Sequence, residues 1–238
     1  MTRYRLAARL ADQLRSTSAQ TGDRLHSALV PFAAPGTVRD LLRGALRDEH
    51  WLDAVHAGSY RHPNGFDKIV LFADREYQLR LHVWRENARE TAVENIHNHR
   101  WDFSSVIVLG GYRFQEFIPD PAGRRFHAYG YTSERGAAAY SLKPLGQRGL
   151  TRSFDARLCA GTSYTLTSDV FHRVSNTPGQ FTVSLVLQGP HRPDSSVLVF
   201  AEENLPSGRP LPRPGFSRDS LRRLLSDLID ELADPLSA

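Results

Sequence analysis

Cysteine is nearly absent from this chain, and its scarcity removes two ways of building a site or a fold. The single Cys159 cannot close an intramolecular disulfide, and it cannot supply a thiolate cluster for zinc. Lysine is almost as scarce: only Lys68 and Lys143 occur, so nearly all positive charge is arginine. Lysine plus arginine exceed aspartate plus glutamate by 30 to 26, a formal +4. The basic residues are mixed with acids and form neither a lysine-rich tail nor an aromatic-interleaved stripe, which argues against a nucleic-acid partner. No run of the roughly eighteen apolar residues that a membrane helix needs is present, and the start, Met1-Thr-Arg-Tyr-Arg-Leu-Ala-Ala-Arg9, lacks the apolar stretch of a signal peptide. The expectation is a cytoplasmic protein with no membrane partner.

What is present reads as one globular domain with additions at its ends: 238 residues, 40% hydrophobic and 24% charged. Residues 1–57 carry helical spacing. Leu6, Leu10 and Leu14, then Leu25 and Leu29, recur every fourth residue, and Val38, Leu41, Leu42, Ala45 and Leu46 repeat at threes and fours. With breaks at Gly22 and Pro35-Gly36, and Thr37 placed as a cap, the spacing predicts three short helices whose apolar faces need a β-body to cover them.

From Ser59 the texture changes to short runs of Val, Ile, Leu, Phe, Tyr and Thr between Gly, Pro, Asn and Asp. Strands are predicted at 68–73, 77–85, 92–99, 104–109, 112–118, 125–131, 137–142, 149–154, 161–167, 172–175 and 181–188. Short strands with no helix among them argue for a mainly β fold, an antiparallel barrel or sandwich over residues 58–203 with a ligand pocket at its mouth. Residues 204–216, with Pro206, Pro210, Pro212 and Pro214, read as an extended tether. Residues 217–234 read as a helix capped by Ser217, with Leu221, Leu224, Leu225, Leu228, Ile229 and Leu232 on one stripe before Pro235. The stripe must pack on the barrel or on a second copy, so it also offers a homodimer interface.

His97 and His99 sit one residue apart in a segment that reads as strand, so both rings point the same way and can hold one ion. His172, in a second β-rich stretch, would complete a facial set. His50, His56, His62, His127 and His191 carry no such spacing and are expected, for the most part, on the surface or in loops. Three neutral imidazoles leave positions open on a divalent metal, which with Fe(II) lets a substrate and O₂ meet at one ion; zinc or nickel would fit as well, so the residues alone do not fix the metal. Asp102 stands three residues after His99, where alternation turns it away. Its expected role is to orient a ligand ring or neighbouring backbone, rather than to bind the ion.

The spacing resembles the two cupin motifs. Gly161, His172 and Asn176 match the second motif, with Thr167 and Asp169 replacing its proline and middle glycine; His97, His99 and Gly111 match the first, with Ser104 where the family keeps glutamate. Within that superfamily the chain resembles the cysteine dioxygenase group, whose members hold iron with three histidines. The likeness runs through Tyr60-Arg61, the stretch from Tyr77 to Trp84-Arg85-Glu86, Ile96-His97-Asn98-His99, Tyr164, His172-Arg173-Val174 and Ser184-Leu185. It implies a cupin-type antiparallel β-barrel, a double-stranded β-helix or jelly roll, with N-terminal helices and a C-terminal helix. It also implies Fe(II) on His97, His99 and His172.

In the resembling family the face carrying Trp84 lines the pocket, which would aim Arg80 and His82 inward, and Arg61 stands at the place of the carboxylate-binding arginine. Ser104 and Gln188 occupy the places of the cysteine and tyrosine that form a cross-link in vertebrate-type members, and Ser184 is followed by Val186 and Gln188, so the second-sphere Ser-His-Tyr series is also mostly lost. Oxidation of free cysteine is thereby put in question. The expected function is a mononuclear non-haem iron oxygenase, independent of 2-oxoglutarate, whose partners are O₂ and a small polar, amino-acid-like or carboxylate-bearing substrate. Arg61 or Arg80 would position the anion, Trp84, Ser104 and Gln188 would contact substrate, and His82 or Tyr164 would manage a proton. The alternatives are a cupin isomerase or epimerase using Zn, Mn or Ni, and a non-catalytic metal-dependent ligand binder.

Overall fold

The structure, a computed structural model, describes residues 1–15, 21–85, 93–133, 137–192 and 194–233. Glu86, the expected strand start at Ala92, and Pro235 lie outside the described residues. The chain opens with helices α1 (Arg3–Arg15), α2 (Thr21–Leu29), a 3₁₀ turn (Val30–Phe32), α3 (Pro35–Arg47) and α4 (Glu49–Gly58). The leucines at the predicted spacing are buried, Leu46 only in part. There is one α-helix more than expected, because Asp48 adopts an extended backbone between two helical runs and its carboxylate accepts from the Trp51 N–H, starting α4 without a Gly or Pro to signal the break. Thr37 is not the cap of α3; Pro35 occupies the first turn, where its missing N–H costs nothing.

Twelve strands follow: β1 (Tyr60–Arg61), β2 (Asp67–Ala73), β3 (Gln78–Trp84), β4 (Ile96–His97), β5 (Phe103–Leu109), β6 (Gly111–Thr132), β7 (Ala139–Cys159), β8 (Ser163–Leu166), β9 (Phe171–Asn176), β10 (Thr182–Gln188), β11 (Val197–Ala201) and β12 (Leu211–Pro212), then helix α5 (Arg218–Glu231). They form two six-stranded antiparallel sheets, ordered β1-β2-β3-β10-β5-β8 and β11-β4-β9-β6-β7-β12. This is the expected mainly β barrel of the double-stranded β-helix type. β11 also pairs with the far half of β6, so the second sheet curls back on itself. Four predicted strands merge into β6 and β7, a hairpin of 22 and 21 residues. β6 continues through Asp120-Pro-Ala-Gly because the register there jumps from Pro119 to Arg124, an irregularity in which a proline needs no ladder bond.

Alternation sorts the first sheet into two faces. Leu79, Leu81 and Val83 of β3, with Val183, Leu185 and Leu187 of β10, join the helices in one large core. Gln78, Arg80, His82 and Trp84, with Ser184, Val186 and Gln188, turn inward and border a cavity between the sheets. The stripe of α5 is spent in the same outer core, where Leu221, Leu225 and Leu228 are fully buried and the helix packs on α3. The stripe through which a homodimer was expected is thus covered within the chain.

The proline-rich segment is no free tether. β12 pairs with β7, Arg213 N–H donates to the Ala138 carbonyl at 2.8 Å, Gly215 bridges to Tyr60, and Arg61 N–H donates to the Pro214 carbonyl at 2.9 Å. Residues 211–216 thus form a strap that ties the edge of one sheet to the edge of the other across the cavity mouth.

Candidate metal centre

His97 on β4 and His172 on β9 are direct cross-strand partners, and His99 follows just beyond the end of β4. The three ring centroids stand 4.7–5.1 Å apart. One nitrogen from each ring lies within 4.8 Å of the others, against the roughly 3.0–3.4 Å that three nitrogens at about 2.1 Å from one ion would show. Small side-chain rotations close that difference, so the set fits a metal. Asn98, between the two histidines, points the opposite way: its amide donates to the Ser168 and Ser196 carbonyls and accepts from the Leu198 N–H at 2.7 Å, fixing the bend that follows β4. The expected strand at 92–99 is accordingly only two residues long.

The rings are prepared as ligands. His97 Nδ1 lies 2.8 Å from the Asn95 carbonyl, which assigns the proton to Nδ1 and leaves the Nε2 lone pair for an ion. Burial pushes the pKa of His97, His99 and His172 below the ordinary histidine value, which keeps them neutral. Asp102 is not among the ligand atoms. Its Oδ1 accepts from the Ser168 N–H at 2.8 Å and its Oδ2 pairs with Arg192 at 2.6 Å, so it holds the loop leading to His172.

Beside the histidines lies a cavity of about 1200 Å³. Arg80 enters it fully desolvated. Its Nε donates to His82 Nε2 at 3.0 Å, and its Nη1 donates to the side-chain oxygens of Gln78 and Gln188. No carboxylate pairs with it among the described residues, and burial lowers its pKa to about 10. The Arg80 bond fixes His82 with its proton on Nδ1, and burial, followed by the nearby Arg80 charge, holds its pKa well below the usual range. His82, which lines the cavity, therefore has its basic nitrogen already taken and keeps Nδ1–H as a donor. Arg80 Nε and Nη1 being occupied, the guanidinium offers no two-nitrogen fork.

The other expected residues separate. Trp84 and Tyr164 border the cavity; the Tyr164 hydroxyl is 2.8 Å from that of Tyr112, and burial pushes its pKa up to about 12. Arg61 is exposed at the mouth, with its guanidinium 5.7 Å from the Phe216 ring. Ser104 does not border the cavity. Alternation along β5 turns Phe103 and Ile107 inward and Ser104 the other way, where its hydroxyl meets Thr165 at 2.6 Å. Gln188, by contrast, faces in and holds Arg80.

Sequence reasoning missed several residues of the cavity wall. His62, expected as a loop residue, stacks on Phe66, which stacks on His82, at 4.4 and 4.2 Å; His191 stacks on Trp101 at 4.9 Å. His56 also borders the cavity, with Nε2 2.8 Å from the Phe216 carbonyl. Glu94 is a buried acid whose pKa burial raises to about 8, its Oε2 accepting from the Val174 N–H at 3.1 Å. Only its place three residues before His97 hinted at it. Arg213 pins the strap, donating to Tyr131, Ser133 and the Ala137 carbonyl with Tyr60 and Tyr140 around it.

No family model and no curated protein matches the chain. Among solved structures it is similar to a cupin domain from Bordetella pertussis Tohama I, 16% identical over 52% of this chain and 93% of that one, with a TM-score of 0.32. It is also similar to an RmlC-like cupin from Shewanella frigidimarina NCIMB 400, 18% identical over 57% and 86% with a TM-score of 0.32. A conserved protein with a double-stranded β-helix domain from Klebsiella pneumoniae is 12% identical over 64% and 95%, with a TM-score of 0.34. The strand order itself describes a double-stranded β-helix.

Proposed function

We propose that this protein is a mononuclear non-haem Fe(II) oxygenase that acts on a small carboxylate-bearing molecule without 2-oxoglutarate. The observation that carries the reading is a group of three neutral imidazoles, with no carboxylate among its ligand atoms, beside a cavity whose buried arginine has only neutral partners. Sets that use 2-oxoglutarate include a carboxylate ligand, and Asp102, the nearest candidate in sequence, has both oxygens engaged elsewhere. Fe(II) held by His97, His99 and His172 would supply an open site at which an electron-rich substrate is oxidised by O₂. The chain's own groups do the rest. Arg80 binds the substrate anion, His82 donates from Nδ1, and the Tyr164 hydroxyl, kept protonated by burial, holds a proton within the site.

The test is elemental analysis of protein purified without added metal, then oxygen uptake after anaerobic Fe(II) loading with a panel of carboxylates, amino acids and thiols. Near-stoichiometric iron, substrate-triggered uptake, and loss of both in His97→Ala support the reading. Zinc or nickel with no uptake for any substrate, or undiminished iron in His97→Ala, overturns it.

A further inference from the structure

We infer that the cavity is built for a ring-bearing monocarboxylate that lacks an ammonium group, and not for a free amino acid. The inference rests on the proposed use of the same site, but its claim concerns the ligand alone. Charge is the first observation. The cavity is bordered by Arg3, Arg61, Lys68, Arg80, Arg100 and Arg213, whereas Glu94 is its single acid among the described residues. An amino acid brings an ammonium that must meet an anion once it leaves water. Glu94 already accepts from the Val174 N–H, and burial favours its neutral form.

The second observation is the unused part of Arg80. The residue is 3% exposed; with Nε and Nη1 committed to His82, Gln78 and Gln188, the two N–H groups on Nη2 are its donors without an acceptor among the described residues. A buried cation with no acid partner is costly until an anion arrives. Two N–H groups on one nitrogen suit a carboxylate better than a phosphate, which brings three strong acceptor oxygens.

Rings supply the third observation. The Arg80 guanidinium lies 5.9 Å from the Trp101 ring centre, and Trp101 stacks on the ligand residue His99 at 5.4 Å. A molecule anchored on Arg80 and reaching the histidines must therefore run along the width of an indole. A second aromatic run borders the same cavity, the His62–Phe66–His82 stack, extended by Trp84 at 5.2 Å from Phe66. Such walls favour a planar ring, and the volume of about 1200 Å³, above the roughly 300–1,000 Å³ of pockets that hold drug-sized ligands, is far more than a small amino acid fills.

The test is calorimetric binding to metal-free and zinc-loaded protein, with 3-phenylpropionate as the probe and three controls that each change one feature. L-phenylalanine adds the ammonium, 3-phenylpropanamide removes the charge, and propionate removes the ring. The expected result is binding of 3-phenylpropionate, with each control weaker by about tenfold or more, and Arg80→Gln reduced to the level of the amide. Absence of 3-phenylpropionate binding, or equal binding of any one control, overturns the inference. If Arg80→Gln does not fold, the amide control on wild-type protein still decides the role of charge. Because the readout needs neither iron nor turnover, a protein that binds 3-phenylpropionate but never consumes oxygen would sink the oxygenase reading alone. An active oxygenase of a zwitterionic amino acid would sink this inference alone.

Discussion

Replacing Glu94 by glutamine should stabilise the protein in mildly alkaline solution and flatten the dependence of its stability on pH. Glu94 is 5% exposed, and burial outweighs the one N–H its carboxyl accepts, moving its pKa from 4.5 to about 8. A raised pKa means that the folded state holds the proton more tightly than the unfolded state does. The stability that goes with the neutral carboxyl is complete below about pH 4.5, is lost progressively as the pH climbs toward 8, and the loss saturates above that. A displacement of this size is on the order of 5 kcal/mol once the group is fully ionised, a large share of the roughly 5–15 kcal/mol that holds a domain together. Glutamine keeps an oxygen for the Val174 N–H and carries no charge.

The buried histidines act in the opposite sense. Their pKa values lie below the ordinary 6.5, so their contribution is in place above that value and fades as the pH falls through the lowered ones. They are common to both proteins and cancel in the difference. Urea unfolding of metal-free wild type and Glu94→Gln at about pH 5, 7 and 9 should show an advantage for the variant that is small at the lowest pH and reaches several kcal/mol at the highest. Parallel profiles would refute the reasoning, since they would mean that Glu94 ionises in the folded protein as it does in water.

Three further outcomes follow from the same contacts. Asp102→Ala leaves a buried Ser168 N–H without its acceptor and Arg192 without its partner, and should cost about 1–3 kcal/mol with metal content unchanged; loss of metal would make Asp102 a ligand. Arg213→Ala removes the side-chain ties from the strap to Tyr131, Ser133 and Ala137, so limited proteolysis should cut within residues 204–216 faster than in wild type, and an unchanged rate would mean that backbone pairing alone holds the strap. Leu225→Ala opens a hole in the helical core, where the side chain is fully buried, and should cost about 2–5 kcal/mol whatever the protein concentration, because its neighbours are in the same chain. A concentration-dependent loss, followed by chemical denaturation, would point to a subunit interface instead.

What could be read from the sequence was what depends on short-range periodicity. β3 alternates so regularly that Arg80, His82 and Trp84 could be put on one face; that this face turns inward was implied by the family resemblance, and the structure places those residues on the cavity. His97 and His99 were legible for the same reason, since two rings on one face of an extended chain are a local fact, and His172 joins them because β4 and β9 pair at that register. Ser104 failed where a motif position was given precedence over alternation: its neighbour Phe103 is the residue that faces in. The strap was illegible because its proline content describes a chain that avoids regular structure, while its contacts are made one residue at a time to two different sheets. Glu94 and His62 were missed because burial in a cavity wall leaves no mark on the residues beside them.

The same distinction explains why a metal could be expected from sequence while a substrate could not. Chelation needs a few ligand atoms, two of which lie one residue apart in this chain. Recognition of an anion here needs the absence of acids from an entire wall assembled from the β2–β3 hairpin, β10 and the strap, three pieces that run far apart in sequence and meet only when the barrel closes. The balance that decides what can enter is therefore a property of the closed fold. It follows that variants which add one carboxylate to that wall, such as Gln188→Glu beside Arg80, should weaken anion binding more than any loss of a neutral contact. The new charge would pair with the guanidinium and satisfy internally the need that a ligand otherwise meets.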